Sequence, residues 1–303
     1  MGNHLHLDVA ITGATGLLGR PLVTSLRASG HRVRVLVRRR EDVGTDAVFW
    51  DPQRREIDAA ALEGIDAVVH LAGENIGEGR WTDERKKLIV QSRVDGTRLI
   101  ASTIAGLSKK PRVMISASAI GAYGNRGDEW LDESSHLGSG FLADVVHAWE
   151  IAAHAARDAD IRVVHPRTGI VLSKEGGALA KLLLPFRMGA GGRMGNGQQF
   201  MSWVTLQDTI RAFEFALTSE SLVGPVNVVA PNPVTNAEFS ETLGSVMHRP
   251  SLIAAPAFAL KLALGEMAQP LLLDGARIRP KKLLEAGFRF LHPTLEDALR
   301  AIL

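Results

Sequence analysis

Short runs of Val, Ile and Leu alternate with stretches of helical period over roughly the first half of the chain. This alternation is typical of a parallel sheet covered by helices on both faces. The predicted strands are LDVAIT, HRVRVLVR, AVFW, DAVVHL, RVMISAS, IRVVHP and, later, PVNVV. Helices are predicted over GRPLVTSLRAS, TDERKKLIVQSRVDGTRLIASTIAG and FLADVVHAWEIAAHAARD. The pattern therefore predicts an α/β fold with a doubly wound parallel sheet.

The pattern changes after about Ser173. A glycine-rich segment comes first, then helices near residues 206–218 and 236–246, then helical pieces interrupted by Pro. We expect a smaller, mostly helical C-terminal lobe. Residues 1–172 and about 203–230 are predicted to form the nucleotide-binding domain, and about 173–202 with 231–303 the substrate-binding lobe.

A glycine turn follows the first predicted strand, in the sequence TGATGLLG. Gly13, Gly16 and Gly19 permit a tight turn, close approach of the backbone to a pyrophosphate and close packing of the next helix. The N–H groups at the start of that helix point at the anion. A turn with one strand before it and one helix after it predicts a Rossmann-type dinucleotide site.

The end of the second strand indicates which dinucleotide binds. An acid there accepts the ribose 2′-hydroxyl, whereas an arginine suits a 2′-phosphate. The chain has Arg38 at this point, followed by Arg39 and Arg40. This favours NADP(H), although Glu41 and Asp42 leave open an NAD(H) ribose contact, and a basic turn also serves to keep a sheet edge soluble.

Composition removes several classes of function. Lys and Arg total 35 against 33 for Asp and Glu, so the balance gives little support for nucleic-acid binding. No Cys is present, which excludes disulfides and cysteine-ligated metals. The glycine turn comes too early for a signal peptide, and apolar runs such as APAFALKLALG are interrupted, so we expect a soluble, cytoplasmic protein with no membrane partner.

The chain resembles the extended short-chain dehydrogenase/reductase family, which includes sugar-nucleotide epimerases. It is most similar to an atypical, epimerase-like branch, often labelled as cell-division inhibitors, that carries a C-terminal domain of unknown function. The words that carry the resemblance are TGATGLLG, LAGENI, SRVDGT, SASAIGAYG, RTGIVLS, GAGGRMGNGQQFMSW and APNPVTNAEF.

The resemblance implies NADP(H) and a set of residues that hold it. The implied cofactor contacts are Gly13, Thr15, Gly16, Leu17, Leu18, Gly19, Val37, Arg38, Leu71, Ala72, Gly73 and Arg93. Arg93 has an alternative as an ordinary solvated arginine of the long helix. The resemblance also implies a homodimer.

The family's usual proton donor is missing. Its members that transfer hydride pair a Ser at the end of the fifth strand with Tyr-x-x-x-Lys on the next helix. Ser118 matches the serine, but Phe141, Leu142, Val145 and Val146 occupy the positions of the Tyr and Lys. Tyr123 is the chain's one tyrosine and the second catalytic candidate, with a structural loop role as its alternative.

Two other features of the sequence have simple structural explanations. His147, Glu150 and His154 share one predicted helix face, but no outside ligand completes a metal site, so we predict a polar surface helix and no metal. The loop from Arg187 to Gly197 is either a ligand-binding loop or a connection between lobes.

The sequence thus predicts an atypical NADP-dependent oxidoreductase acting on a small polar substrate, with Ser118 as a hydrogen-bond donor. Two alternatives remain: a non-catalytic NADP(H) sensor or scaffold, and a sugar-nucleotide epimerase. The missing Tyr counts against the epimerase as much as against the reductase, because both need a proton acceptor.

Overall fold

A computed structural model describes residues 6–303. The strands are β1 Asp8–Thr12, β2 Arg32–Val37, β3 Ala47–Asp51, β4 Glu56–Ile57, β5 Ala67–His70, β6 Val113–Ser116, β7 Ser118–Ala119, β8 Trp130–Leu131, β9 Arg162–Thr168, β10 Ile170–Leu172, β11 Phe200–Met201, β12 Trp203–Thr205, β13 Gly224–Val228, β14 Val234–Thr235 and β15 Arg277–Ile278. The helices are α1 Gly19–Ala28, α2 Asp83–Ala105, α3 Phe141–Ile151, α4 His154–Asp158, α5 Gly177–Arg187, α6 Leu206–Thr218, α7 Asn236–Met247, α8 Ala257–Leu264, α9 Lys281–Glu285 and α10 Leu295–Ile302.

The main sheet has the order β13-β9-β6-β5-β1-β2-β3-β4, with β7 also paired to β9. Every neighbouring pair is parallel except β3 and β4. The strand order reverses direction at β1, with β2 on one side and β5 on the other. This confirms the predicted doubly wound sheet, in which ligands bind at the carboxyl ends of the strands near the reversal.

Apolar side chains fill both faces of the sheet. On one face, β1 residues Val9 and Ile11 pack with Leu22 of α1 and Phe213 of α6. On the other, Ala10 packs in a cluster with Ile100 of α2. Adjacent residues of one strand point to opposite faces, so a fully apolar strand is buried on both.

The C-terminal part has a core of its own. Leu183 and Phe186 of α5, Phe239 of α7 and Leu299 of α10 are buried together with Trp203. The glycine-rich loop after α5 is tied to the chain near residue 255: Ala255 N–H donates to the carbonyl of Arg193 over 2.8 Å, and Gly195 N–H donates to that of Ala255 over 2.9 Å.

One predicted helix is interrupted. The segment expected to be continuous from Phe141 to Asp158 divides into α3 and α4. The last turn of α3 tightens, because Ala153 N–H donates to the carbonyl of Glu150 over 3.3 Å, three residues back. Among residues 6–303, no helix combines the length and the apolar character that crossing a membrane requires.

Candidate functional site

The glycine turn lies against the loop that follows β5. Gly13 has a φ of +68°, and a Cβ on it would lie 2.9 Å from the backbone nitrogen of Ala72. A Cβ on Gly19 would lie 2.1 Å from the carbonyl oxygen of Gly13. Only glycine fits either place. The structure therefore brings together two predicted cofactor segments, the turn Gly13 to Gly19 and the loop Leu71 to Gly73, with Thr15 and Gly16 exposed beside them.

A buried threonine and histidine hold that loop. The Thr12 hydroxyl accepts hydrogen bonds from the N–H groups of Leu71 at 3.1 Å and Ala72 at 3.2 Å. Its own proton is then available to His70 Nδ1, 2.7 Å away. Burial lowers the pKa of His70 to about 4, so the imidazole is neutral near pH 7. Sequence inspection did not single out this pair, whose two residues are 58 positions apart.

The three consecutive arginines after β2 differ in their partners. Arg39 pairs with Glu41 at 2.9 Å, and Arg40 pairs with Glu56 at 2.7 Å. Arg38 is exposed and has no ion-pair partner within the part of the chain that the structure describes. Val37 ends β2 directly before it. Glu41 is thus engaged with an arginine, and Arg38 is the cation of the three that remains available to a ligand.

Arg93 lies under the loop after β5. Its guanidinium carbon is 3.4 Å from the place a Cβ would take on Gly73 and 5.0 Å from the centre of the Trp149 ring. The guanidinium donates to the carbonyl of Ile89 over 3.2 Å. Burial lowers the pKa of Arg93 to about 10. Arg93 is therefore not a solvated helix arginine: it is a largely desolvated cation next to the predicted cofactor loop, with no acid bonded to it among residues 6–303.

Ser118 belongs to a buried chain of polar groups. Its hydroxyl donates to Glu150 Oε1 over 2.6 Å. Arg167 donates to both oxygens of the same carboxylate over 2.8 Å. Burial raises the pKa of Glu150, but the hydrogen bonds and charge of Arg167, with smaller contributions from His165 and Ser118, outweigh it and leave that pKa below its ordinary value. Glu150 is therefore ionised, and the Ser118 proton points at it.

Tyr123 belongs to the same chain of groups and is fully buried. Its hydroxyl accepts from Arg167 over 3.1 Å and donates to Asn227 Oδ1 over 2.8 Å. Burial is the largest influence on the Tyr123 pKa and raises it. The phenol thus both accepts and donates a hydrogen bond inside the protein. This geometry fits the structural role that the sequence left open as the alternative to a catalytic one.

The positions of the missing Tyr and Lys are apolar in structure as well as in sequence. Phe141, Leu142 and Val145 lie in a cluster with Trp81 and Met267. The Trp81 and Phe141 rings meet edge to face with their centres 5.0 Å apart. Residues from the C-terminal part of the chain therefore cover the surface where a proton donor would stand.

Comparison with known proteins agrees with this geometry. A model of the NAD dependent epimerase/dehydratase family matches residues 9–229, which is most of the sheet and the cofactor turn. The chain belongs to this family. A second model, of a domain of unknown function (DUF1731), matches residues 255–302. The resemblance inferred from the sequence is thereby confirmed, including its C-terminal domain.

The relatives of this family member cover its whole length. An epimerase family protein from Mycobacterium leprae is 42% identical over 96% of the chain and 94% of the relative. The crystal structure of human epimerase family protein SDR39U1 with NADPH is 34% identical, with a TM-score of 0.89 over 98% of the chain and 99% of the human one. A nucleoside-diphosphate sugar epimerase from Corynebacterium glutamicum is 36% identical, with a TM-score of 0.82 over 99% of the chain and 59% of that protein.

Sequence analysis assigned Glu150 to a polar helix surface beside His147 and His154. The structure instead directs its carboxylate inward, where it binds Ser118 and Arg167. A usable signal was present: Glu150 lies seven residues after buried Ala143 and four after buried Val146, so it continues the inner face of the helix. Arg167 carried no local signal, because it is one of several polar residues in β9.

Proposed function

We propose that the chain binds NADP(H) and uses it as an oxidoreductase on a small carbonyl or alcohol compound. The observation that carries the proposal is Arg38, the cation that Arg39 and Arg40 leave unpaired at the end of β2. In a Rossmann-type site this position faces the adenosine ribose, and a free guanidinium there matches a 2′-phosphate. The NADPH in the human relative supports the same cofactor here.

The residues present fit the rest of the cofactor. The turn from Gly13 to Gly19, exposed at Thr15 and Gly16, and the N-terminus of α1 would receive the pyrophosphate. The Leu71 to Gly73 loop would lie along the cofactor, with Arg93 beneath it as a further cation. The cofactor would supply or accept the hydride, and the chain's own groups would orient the substrate and handle the proton.

Ser118 is the proposed hydrogen-bond donor to the substrate oxygen. In its present hydrogen bond the proton goes to Glu150, so donation requires rotation of the hydroxyl away from that carboxylate. Because Arg167 binds both carboxylate oxygens, Glu150 stays charged and compensated when Ser118 turns. With no Tyr or Lys at the matching positions of α3, the proton exchanged with the substrate would come from water or another group.

The proposed cleft lies between the two predicted lobes, residues 1–172 with about 203–230 and residues 173–202 with 231–303.

The test of the proposed function begins with a fluorescence titration of the purified protein with NADPH. A panel of carbonyl compounds is then assayed by NADPH oxidation. Tight binding with turnover on one panel member is the expected result. Failure to bind NADPH would remove the proposal.

A second function is favoured by the apolar cluster around Phe141 and Leu142, which stands where the acid–base pair would be. On this alternative the chain is a non-catalytic NADP(H) sensor or scaffold whose partner recognises the bound state. It predicts tight NADPH binding, no turnover on the whole panel, and a partner whose recovery in pull-downs depends on NADPH.

A further inference from the structure

The most exposed large apolar side chains of the described residues lie on elements that contact one another. Six are exposed by 57% or more, and the next, Val223, reaches 51%. Those six, which we call the apolar rim, are Leu184, Met188, Leu252, Ile253, Phe258 and Leu262. Single exposed hydrophobic residues are ordinary, whereas a group of them in one place indicates a binding surface.

The apolar rim lies along two helices that are joined at one end. The loop after α5 is bonded to the segment before α8, since Ile253 N–H donates to the carbonyl of Gly191 over 3.3 Å. Leu184 of α5 and Met188, the residue directly after α5, are four residues apart and joined by a backbone hydrogen bond, and Phe258 and Leu262 are four apart on α8. Each pair therefore lies on one face of its helix.

The other end is closed by the loop that precedes α2. Lys181 of α5 donates to the carbonyl of Gly77 over 2.9 Å. Three residues later, Arg80 donates to the carbonyl of Leu262 over 3.1 Å. Helix α5, the loop at 77–80, helix α8 and the segment at 250–255 are thus joined in a ring of contacts, and the apolar rim lies on members of this ring.

This ring of contacts adjoins the proposed cofactor cleft. Helix α5 begins against the glycine turn, where a Leu17 methyl group lies 3.3 Å from the place a Cβ would take on Gly176. On the α8 side, Leu264 packs into the apolar cluster that contains Phe141 and Leu142. An apolar surface therefore extends from the apolar rim to the positions where a polar Tyr and Lys are missing.

We propose that the apolar rim and this cluster bind an apolar chain on the substrate, so that the compound reduced or oxidised is amphipathic: a carbonyl or hydroxyl group attached to a hydrocarbon chain. The inference rests on the proposed function and names its substrate class. It disfavours a sugar nucleotide, whose diphosphate and hydroxyl groups would lose hydrogen bonds to water against leucine, methionine and phenylalanine side chains.

The test uses the full chain saturated with NADPH and the fluorescent probe 1-anilinonaphthalene-8-sulfonate. The probe is displaced by n-alkanols from butanol to octanol. Each methylene that is buried should tighten displacement about fourfold. The double variant Phe258→Gln, Leu262→Gln should flatten this dependence on chain length. The control Leu284→Gln changes a side chain that is 48% exposed on α9, beside β13, and should leave the dependence intact.

The outcomes separate the two proposals. Normal NADPH binding with no dependence on chain length, or a dependence that survives in the double variant, overturns the substrate class and leaves the proposed function standing. Absence of NADPH binding in the unmodified chain overturns both. Sedimentation velocity that shows a dimer which the double variant dissociates would assign the apolar rim to a second copy of the chain and also overturn the inference.

Discussion

Polar side chains have different hydrogen-bond partners at the two ends of the proposed cleft, the nucleotide end and the reaction end. At the nucleotide end, Arg38 is exposed with no acid partner among residues 6–303, and Arg93 is half-buried with one backbone acceptor. At the reaction end, Ser118 and Arg167 are satisfied by Glu150, inside the protein. A partly desolvated cation such as Arg93 is costly to keep without an acid partner, and an exposed cation such as Arg38 is available to a ligand. A network closed inside the protein holds its groups in place.

This difference explains how a chain without the Tyr-x-x-x-Lys pair can retain its predicted dinucleotide site. The two ends share the sheet but no hydrogen bond joins the Arg38 and Arg93 contacts to the Ser118 network within the described residues. Changes at the reaction end should therefore alter stability or turnover while cofactor affinity stays the same. The following experiments test that independence.

The largest effect is expected for Glu150→Gln, because it leaves the buried Arg167 without its counter-charge. Removing one member of a buried ion pair costs about 3–5 kcal/mol, measurable by urea unfolding. Glu129→Gln is the control, since Glu129 is 52% exposed in its pair with Arg126 and should lose about 1 kcal/mol or less. A tenfold loss of NADPH affinity in folded Glu150→Gln would show that the two ends are coupled.

The second effect concerns pH and the Thr12–His70 pair. The pKa of His70 falls from 6.5 to about 4 on burial, so the unfolded state binds the extra proton between these values. The stabilisation is complete above pH 6.5 and is lost as the pH falls toward 4, by about 3 kcal/mol. Unfolding measured across this range should show a shallower slope in His70→Asn, which keeps an acceptor for Thr12 but does not titrate. An unchanged slope would contradict the assignment.

A smaller effect is expected at Arg93. Replacing it by Met removes a charge-assisted contact to the cofactor and should weaken NADPH binding about 10- to 100-fold. Arg98→Met, on the same helix but 61% exposed and paired with Asp95, is the matched control. Equal NADPH affinity in the Arg93→Met and Arg98→Met variants would show that Arg93 has only a structural role.

The smallest effect is expected for Ser118→Ala. Loss of one neutral hydrogen bond to the substrate should lower turnover about 2- to 10-fold on the best panel substrate, with NADPH affinity unchanged. Ser116→Ala removes a buried hydroxyl that has no partner in the described part of the chain, and should leave turnover as it is. Turnover equal to that of the unmodified chain would remove Ser118 from the mechanism.

Local sequence patterns predicted most of the sheet and the glycine turn after β1. Hydrophobic periodicity and glycine spacing are visible within a few residues of the sequence. They therefore predicted β1, the turn at Gly13 to Gly19 and the position of Arg38. The Thr12–His70 contact and the Glu150–Arg167 pair were not, because each joins side chains that are distant along the chain. The apolar rim could not be predicted from the sequence either. The segment APAFALKLALG is as apolar as a buried helix, and the exposure of its side chains depends on what α8 packs against.

The central claim is that Arg38 selects a cofactor with a 2′-phosphate. The most direct measurement is the ratio of NADPH to NADH dissociation constants in the unmodified chain, in Arg38→Ala and in Arg39→Ala. We predict a strong NADPH preference that Arg38→Ala loses, through weaker NADPH binding alone, and that Arg39→Ala retains because Arg39 is paired with Glu41. Equal binding of the two cofactors by the unmodified chain, or a preference that survives in Arg38→Ala, would contradict the account.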